Sequence, residues 1–267
     1  MKTGVSTACL YPMEVEKALA SLLDLDFKVF EIFFNTYQEI EPGFVRNLKN
    51  MVDHYGAQVR SVHPFTSGFE NMLLFSNYPR RFEDGIAFYR KYFEAASMLG
   101  ASFLVLHGQR DLFTSKISEE EYFERYLKLR EVGREYGILL AQENVNALRS
   151  ADPQFIARMR KYTEDDCSFV FDVKQAVRAG VDPFVMCAAM GKSLVHVHLN
   201  DNAAKTDCLL PGRGTMDFKR LMRQLQEQGY QGDFIIEVYR DNFGDIEEFV
   251  PSFYFVQGLI HEVFKIT

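Results

Sequence analysis

The chain has 267 residues, 47% hydrophobic and 25% charged, the balance of an ordinary globular protein. Its 30 Lys+Arg against 37 Asp+Glu give a net charge of −7, which counts against a protein built to neutralise phosphate backbones, so no nucleic-acid partner is expected. Cys9, Cys167, Cys187 and Cys208 show no CxxC pairing, the N-terminal Met1–Ser6 stretch lacks a signal-like apolar run, and no segment approaches the ~18 apolar residues of a membrane span. The expectation is a cytoplasmic protein with reduced thiols and no membrane association.

Short apolar runs alternate with segments of helical period. The first run, Gly4–Ala8, leads to a helix expected to open near Pro12, and Lys28–Phe33 is followed by a helix over Pro42–Tyr55 closed by Gly56. Gln58–His63 precedes a long connection, residues 67–76, whose apolar side chains suit a substrate lid or a subunit interface. A long helix then spans Pro79–Leu99. Ser102–His107 leads to a helix over Glu119–Tyr136, which opens on the capping pattern Ser118-Glu119-Glu120-Glu121. Ile138–Glu143 is a strand, and Asp152-Pro153 starts a helix running to Tyr162. Ser168–Asp172, Leu194–His198 and Phe234–Val238 complete the strands, with helices expected over Lys174–Met190, Asp217–Gln228 and Ile246–Phe264.

Eight such units without a linker or composition break predict one α/β domain over residues 1–267, a single (β/α)8 TIM barrel with a parallel eight-stranded sheet. A doubly wound sheet is the alternative, but no GxGxxG turn follows the first strand.

Barrels of this type work at the C-terminal ends of their strands. The apolar runs carry Glu31, His63, His107, Glu143, Asp172, His198 and Glu237 there, one per unit and 26 to 44 residues apart. Any one of them has an ordinary structural reading, a hydrogen-bonded imidazole or a carboxylate at a helix N-terminus. Gathered in one desolvated ring, they would cost several kcal/mol unless a cation compensated them. His and carboxylate donors fit one divalent metal: Mn, Mg, Zn or Co. His196 points the same way as His198, one layer lower, and reads as a core or supporting residue. His54 and His261 fall on helices and read as surface residues. Gly212 and Gly214 read as turn formers, or as a cradle for a phosphate.

The segments Ser61-Val62-His63, Leu104-Val105-Leu106-His107-Gly108, Ala141-Gln142-Glu143-Asn144, Phe171-Asp172-Val173-Lys174-Gln175, Val197-His198-Leu199-Asn200-Asp201, Pro211–Phe218 and Ile235-Ile236-Glu237 are similar to those of the xylose isomerase-like TIM-barrel superfamily, over nearly the whole chain. That superfamily groups sugar and sugar-phosphate isomerases and epimerases with endonuclease IV-type enzymes.

The resemblance implies that Glu143, Asp172, His198 and Glu237 hold one divalent metal, and that Glu143 and Glu237 act as an acid–base pair. The implied activity is isomerisation or epimerisation of a small sugar, sugar phosphate or related keto compound through an ene-diolate. His63, His107, Gln175, Asp201, Lys205, Arg213 and Glu31 would then contact substrate, with Lys205 or Arg213 at an anionic end. A dehydratase or lyase on a polyol-derived keto compound needs the same residues, and a barrel that binds sugar or metal without turnover is a further alternative. DNA repair ranks last. The multi-zinc endonucleases carry Asp-x-x-His where this chain has Asp172-Val173-Lys174-Gln175, and Asp-x-His where it has Asp207-Cys208-Leu209. Many isomerases of the group also keep the first of these histidines, where Gln175 stands here. The family is often oligomeric, and the apolar connection is compatible with a homo-oligomer.

Overall fold

In the computed structural model, which describes residues 1–110 and 117–265, eight parallel strands close into a barrel. They are β1 (Thr3–Ser6), β2 (Val29–Phe33), β3 (Gln58–His63), β4 (Phe103–Leu106), β5 (Leu139–Glu143), β6 (Ser168–Asp172), β7 (Leu194–Leu199) and β10 (Phe234–Ile236). Each pairs in parallel with its sequence neighbour, and β10 closes the ring on β1 with Gly4 opposite Ile235. The helices packed around it are α1 (Val15–Asp24), α2 (Pro42–His54), α4 (Pro79–Leu99), α5 (Glu119–Glu135), α6 (Pro153–Tyr162), α7 (Val173–Arg178), α8 (Pro183–Met190), α9 (Phe218–Glu227) and α10 (Phe249–Phe264). A short helix, α3 (Glu70–Leu73), lies in the connection after β3. No helix among the described residues is long and apolar enough to cross a membrane.

Outward-facing strand residues such as Val62, Leu104, Leu140, Phe169 and Phe171 pack with the apolar faces of the helices in one large core. Inside the barrel the layer is thinner. Val105, Ala141 and Val170 form a separate small cluster, and the neighbouring interior positions are polar. Period-2 alternation therefore sends a hydrophobic set outward and a mixed set inward. The caps read from sequence are in place: the Ser118 side chain accepts the Glu121 N–H at 3.0 Å, and Asp152 accepts that of Gln154 at 2.9 Å.

Three local expectations change. The helix expected over Lys174–Met190 is two helices, broken at Gly180 (φ 69°) before Pro183, where the chain cannot continue helical hydrogen bonding. After β7 the chain makes an antiparallel hairpin, β8 (Asp201–Ala203) and β9 (Thr206–Leu209), too short and polar to show a strand pattern. β2 runs two residues past Glu31, so that carboxylate sits inside the barrel and not at its rim.

Candidate metal centre

Six of the seven residues picked from strand ends meet at the C-terminal mouth. Glu143, Asp172 and His198 lie on β5, β6 and β7, while His107 and Glu237 follow β4 and β10 by one residue. His63 ends β3. The imidazole of His198 is the hub. Its Nδ1 faces Glu143 Oε1 at 3.3 Å, Glu237 Oε2 at 3.2 Å and Asp172 Oδ2 at 3.8 Å, and its Nε2 meets Glu31 Oε2 at 2.9 Å. Glu143 also receives His107 Nε2 at 2.9 Å, with His63 Nε2 at 3.8 Å. The two histidines touch each other, Nε2 to Nε2, at 2.9 Å.

Neighbouring residues hold these groups in place. Gln142 donates from Nε2 to the carbonyls of Leu106, His107 and Glu143 and accepts the Tyr122 hydroxyl, tying the ends of β4 and β5 together. Gly108 (φ 94°) makes that turn, and a Cβ there would lie 2.1 Å from the Tyr122 oxygen. Asn144 clamps the Asp172 backbone at both ends, accepting its N–H at 2.8 Å and donating to its carbonyl at 2.9 Å. Asn200 donates to Asp172 Oδ1 at 3.1 Å.

The charges interlock. Burial would raise the Glu143 carboxyl, but the His107 charge and hydrogen bonds from His107, His198 and His63 hold it well below the usual carboxylate range. Glu237 is likewise held down against burial by the Lys174 and His198 charges. Burial pushes the Asp172 carboxyl up. His198 is raised well above the usual imidazole value, because Glu31, Glu237, Asp172 and Glu143 outweigh its burial. Lys174, 2% exposed, donates to Asp172 Oδ2 and to Glu237 Oε2, the latter at 2.5 Å, with its ammonium 5.4 Å from the centre of the Tyr239 ring.

Glu143, Asp172, His198 and Glu237 each present a ligand atom within 4.8 Å of the others. All four are buried, and Glu237 is the most exposed at 8%. Three carboxylates and one imidazole at that spacing are a donor set that fits one divalent cation. Two of them, Glu143 and Glu237, line a cavity of about 440 Å³, which is also lined by Tyr11, Phe33, Phe65 and Tyr239 and by His63, His107 and Gln175.

Of the other sequence candidates, Gln175 lines that cavity and accepts the Asn146 N–H at 3.0 Å. Four lie elsewhere. Glu31 is one layer down, accepting from Ser6 at 3.0 Å and Ser61 at 2.8 Å, with His196 beside it at 3.5 Å. Asp201 turns into the loop before α9, where its carboxylate accepts the amides of Asn202, Gly212, Gly214 and Met216. Lys205 is exposed between β8 and β9, and Arg213 is paired with Glu248 at the surface. The sequence reading overlooked Lys174, the aromatic walls, and Glu70. Glu70 is fully buried and accepts from Tyr89 at 2.6 Å and from the Gly108 amide at 2.5 Å.

Fold and site together define an eight-stranded α/β barrel with a buried carboxylate–imidazole centre at its mouth. A family description, the xylose isomerase-like TIM barrel, matches residues 19–253, and the chain belongs to that family. Among solved structures, a D-tagatose 3-epimerase-like protein has a TM-score of 0.82 at 22% identity, covering 99% of both chains. D-psicose 3-epimerase with D-tagatose from Clostridium cellulolyticum H10 has a TM-score of 0.78 at 17% identity, covering 98% of this chain and 99% of the other. The IOLI protein with a bound zinc atom has a TM-score of 0.77 at 16% identity over 100% of both. At these identities the likeness is one of fold.

Proposed function

We propose that the protein is a divalent-metal-dependent isomerase or epimerase of a small sugar or related keto compound. The observation that carries this reading is the convergence of Glu143, Asp172, His198 and Glu237, two of which, Glu143 and Glu237, line the aromatic-walled cavity. These four residues would hold the ion, which when bound polarises a carbonyl and its neighbouring hydroxyl and eases loss of the adjacent carbon-bound proton.

The remaining chemistry belongs to the side chains. Glu143 and Glu237 both face His198 Nδ1, at 3.3 and 3.2 Å, and both are held in the ionised form. One, ionised, takes the proton from carbon; the other, having first taken up a proton from solvent, returns it to the opposite face, which inverts the carbon, and proton exchange with solvent resets the pair. His107 and His63 line the cavity with Glu143 and turn their Nε2 atoms to its carboxylate, positioning it toward substrate. Tyr11, Phe33, Phe65 and Tyr239 offer apolar surface to the C–H faces of a sugar and exclude water.

The substrate reading favours a neutral keto sugar over a sugar phosphate. Among the described lining residues the only Lys or Arg is Lys174, set against the carboxylates of Glu143 and Glu237. Arg213 and Lys205 lie outside this cavity lining.

To test the reading, free ketopentoses and ketohexoses are incubated with the Mn2+-loaded protein and the products separated. The expected result is an epimer or aldose isomer that disappears with chelator, returns with Mn2+, and falls about 1,000-fold in Glu143→Gln with the fold intact. Full turnover in that variant would refute the role of Glu143.

A further inference from the structure

The two carboxylates that Lys174 engages, Asp172 and Glu237, are members of the four-residue group. The contacts are made to Asp172 Oδ2 and Glu237 Oε2, the same oxygens that face His198 Nδ1 at 3.8 and 3.2 Å. The ammonium therefore lies on the oxygens turned toward His198 and not behind them. Its position is built into the fold. Lys174 is in the first turn of α7, two residues after Asp172, whose Oδ1 accepts the Gln175 amide at 3.3 Å and so caps the helix. The residue is 2% exposed and its ammonium lies against the Tyr239 ring, whose hydroxyl is held in turn by Arg178 at 2.6 Å.

A buried ammonium on two carboxylates satisfies charges that would otherwise be uncompensated in a dry site. A divalent cation placed on the same oxygens would meet that ammonium at short range, where like charges repel strongly. From this geometry, and resting on the reading of these four residues as ligands, we infer that Lys174 is a resident counter-cation of the centre. It holds Asp172 and Glu237 together when the ion is away, and competes with the ion for them. Lys174 thus sets the affinity and reversibility of metal binding, and the side chain must shift along the Tyr239 face for the ion to take full hold.

The test is calorimetric titration of the metal-stripped full chain with Mn2+, with melting temperatures measured in chelator and in saturating Mn2+. Lys174→Met keeps the length and removes the charge. It should bind one Mn2+ at least tenfold more tightly than wild type and melt lower than wild type in chelator. Lys174→Arg, which keeps the charge, should stay near wild-type affinity. Lys128→Met, on the exposed side of α5, should change neither reading. If Lys174→Met does not fold without metal, Lys174→Gln titrated beside Lys174→Arg decides the same point, with Gln expected to bind at least tenfold more tightly. One Mn2+ bound with equal or lower affinity in the neutral variants would overturn the inference and leave the ligand set standing. No Mn2+ uptake by wild type or any variant up to millimolar concentration would overturn both.

Discussion

Glu70 shows how far a single buried carboxyl can reach. It accepts from Tyr89 and from the Gly108 amide, the residue after His107, so it fixes the turn that presents His107 to Glu143. Burial pushes its carboxyl up from 4.5 to about 7, more than the His107 charge and its hydrogen bonds pull it down. The folded protein therefore holds a proton that the unfolded chain releases near 4.5. Stability from this group is fully present below that pH and is lost as pH rises through 7. The difference in unfolding free energy between wild type and Glu70→Gln should shift by ~3 kcal/mol towards the variant between pH 5 and pH 8. Paired denaturant titrations check this, and a difference that stays flat with pH would contradict it. Nothing marks Glu70 in sequence, because it is one acid within the apolar connection 67–76 and its partners come from α4 and the end of β4. Lys174 is hidden for a related reason: after Asp172 the family pattern marks position 175, and the burial of Lys174 is set by Glu237 and Tyr239 from the far end of the chain.

At the scale of elements, the loop between β9 and α9 depends on one side chain. Asp201 accepts four backbone amides from a single carboxylate, and Gly214 passes so close that a Cβ would lie 2.2 Å from the Asn202 carbonyl oxygen. Asp201→Asn replaces one acceptor oxygen with an N–H2 group, so two of the four part-buried amides lose a hydrogen bond to a charged acceptor, each worth about 1.5–3 kcal/mol. Hydrogen exchange at Gly212, Gly214 and Met216 should accelerate about 10- to 100-fold while the β5 and β6 amides stay protected. Unchanged protection in the loop would count against the anchor. In the sequence Asp201 reads as one more polar group beside His198, since strand alternation says where a strand residue points but not how a loop folds back over it. Glu31 is a different case: the run Lys28–Phe33 already leaves it two residues short of the strand end, and the rim at Phe33 lies above the carboxylate. The break between α7 and α8 was legible after the fact, in Gly180 and Pro183.

Across the whole molecule, the regular return of a His or carboxylate at the ends of apolar runs was the informative signal. It survives because barrel closure turns an interval of one βα unit into a ring, whatever the loops do. Glu143, Asp172, His198 and Glu237 come from four separate units and still meet within 4.8 Å. What the ring could not give was its charge balance. The net −7 is distributed so that three of these residues and Glu31 are carboxylates in a buried centre, matched within the protein by His198 and Lys174. The chemistry proposed for this centre is removal and return of a proton on the carbon next to a sugar carbonyl. Proton NMR of free ketoses incubated in heavy water with the Mn2+-loaded protein tests it most directly. Deuterium should enter at that carbon in at least one ketose, at a rate lost in Glu143→Gln. Retention of every carbon-bound proton across ketopentoses and ketohexoses, with metal bound at the centre, would contradict it.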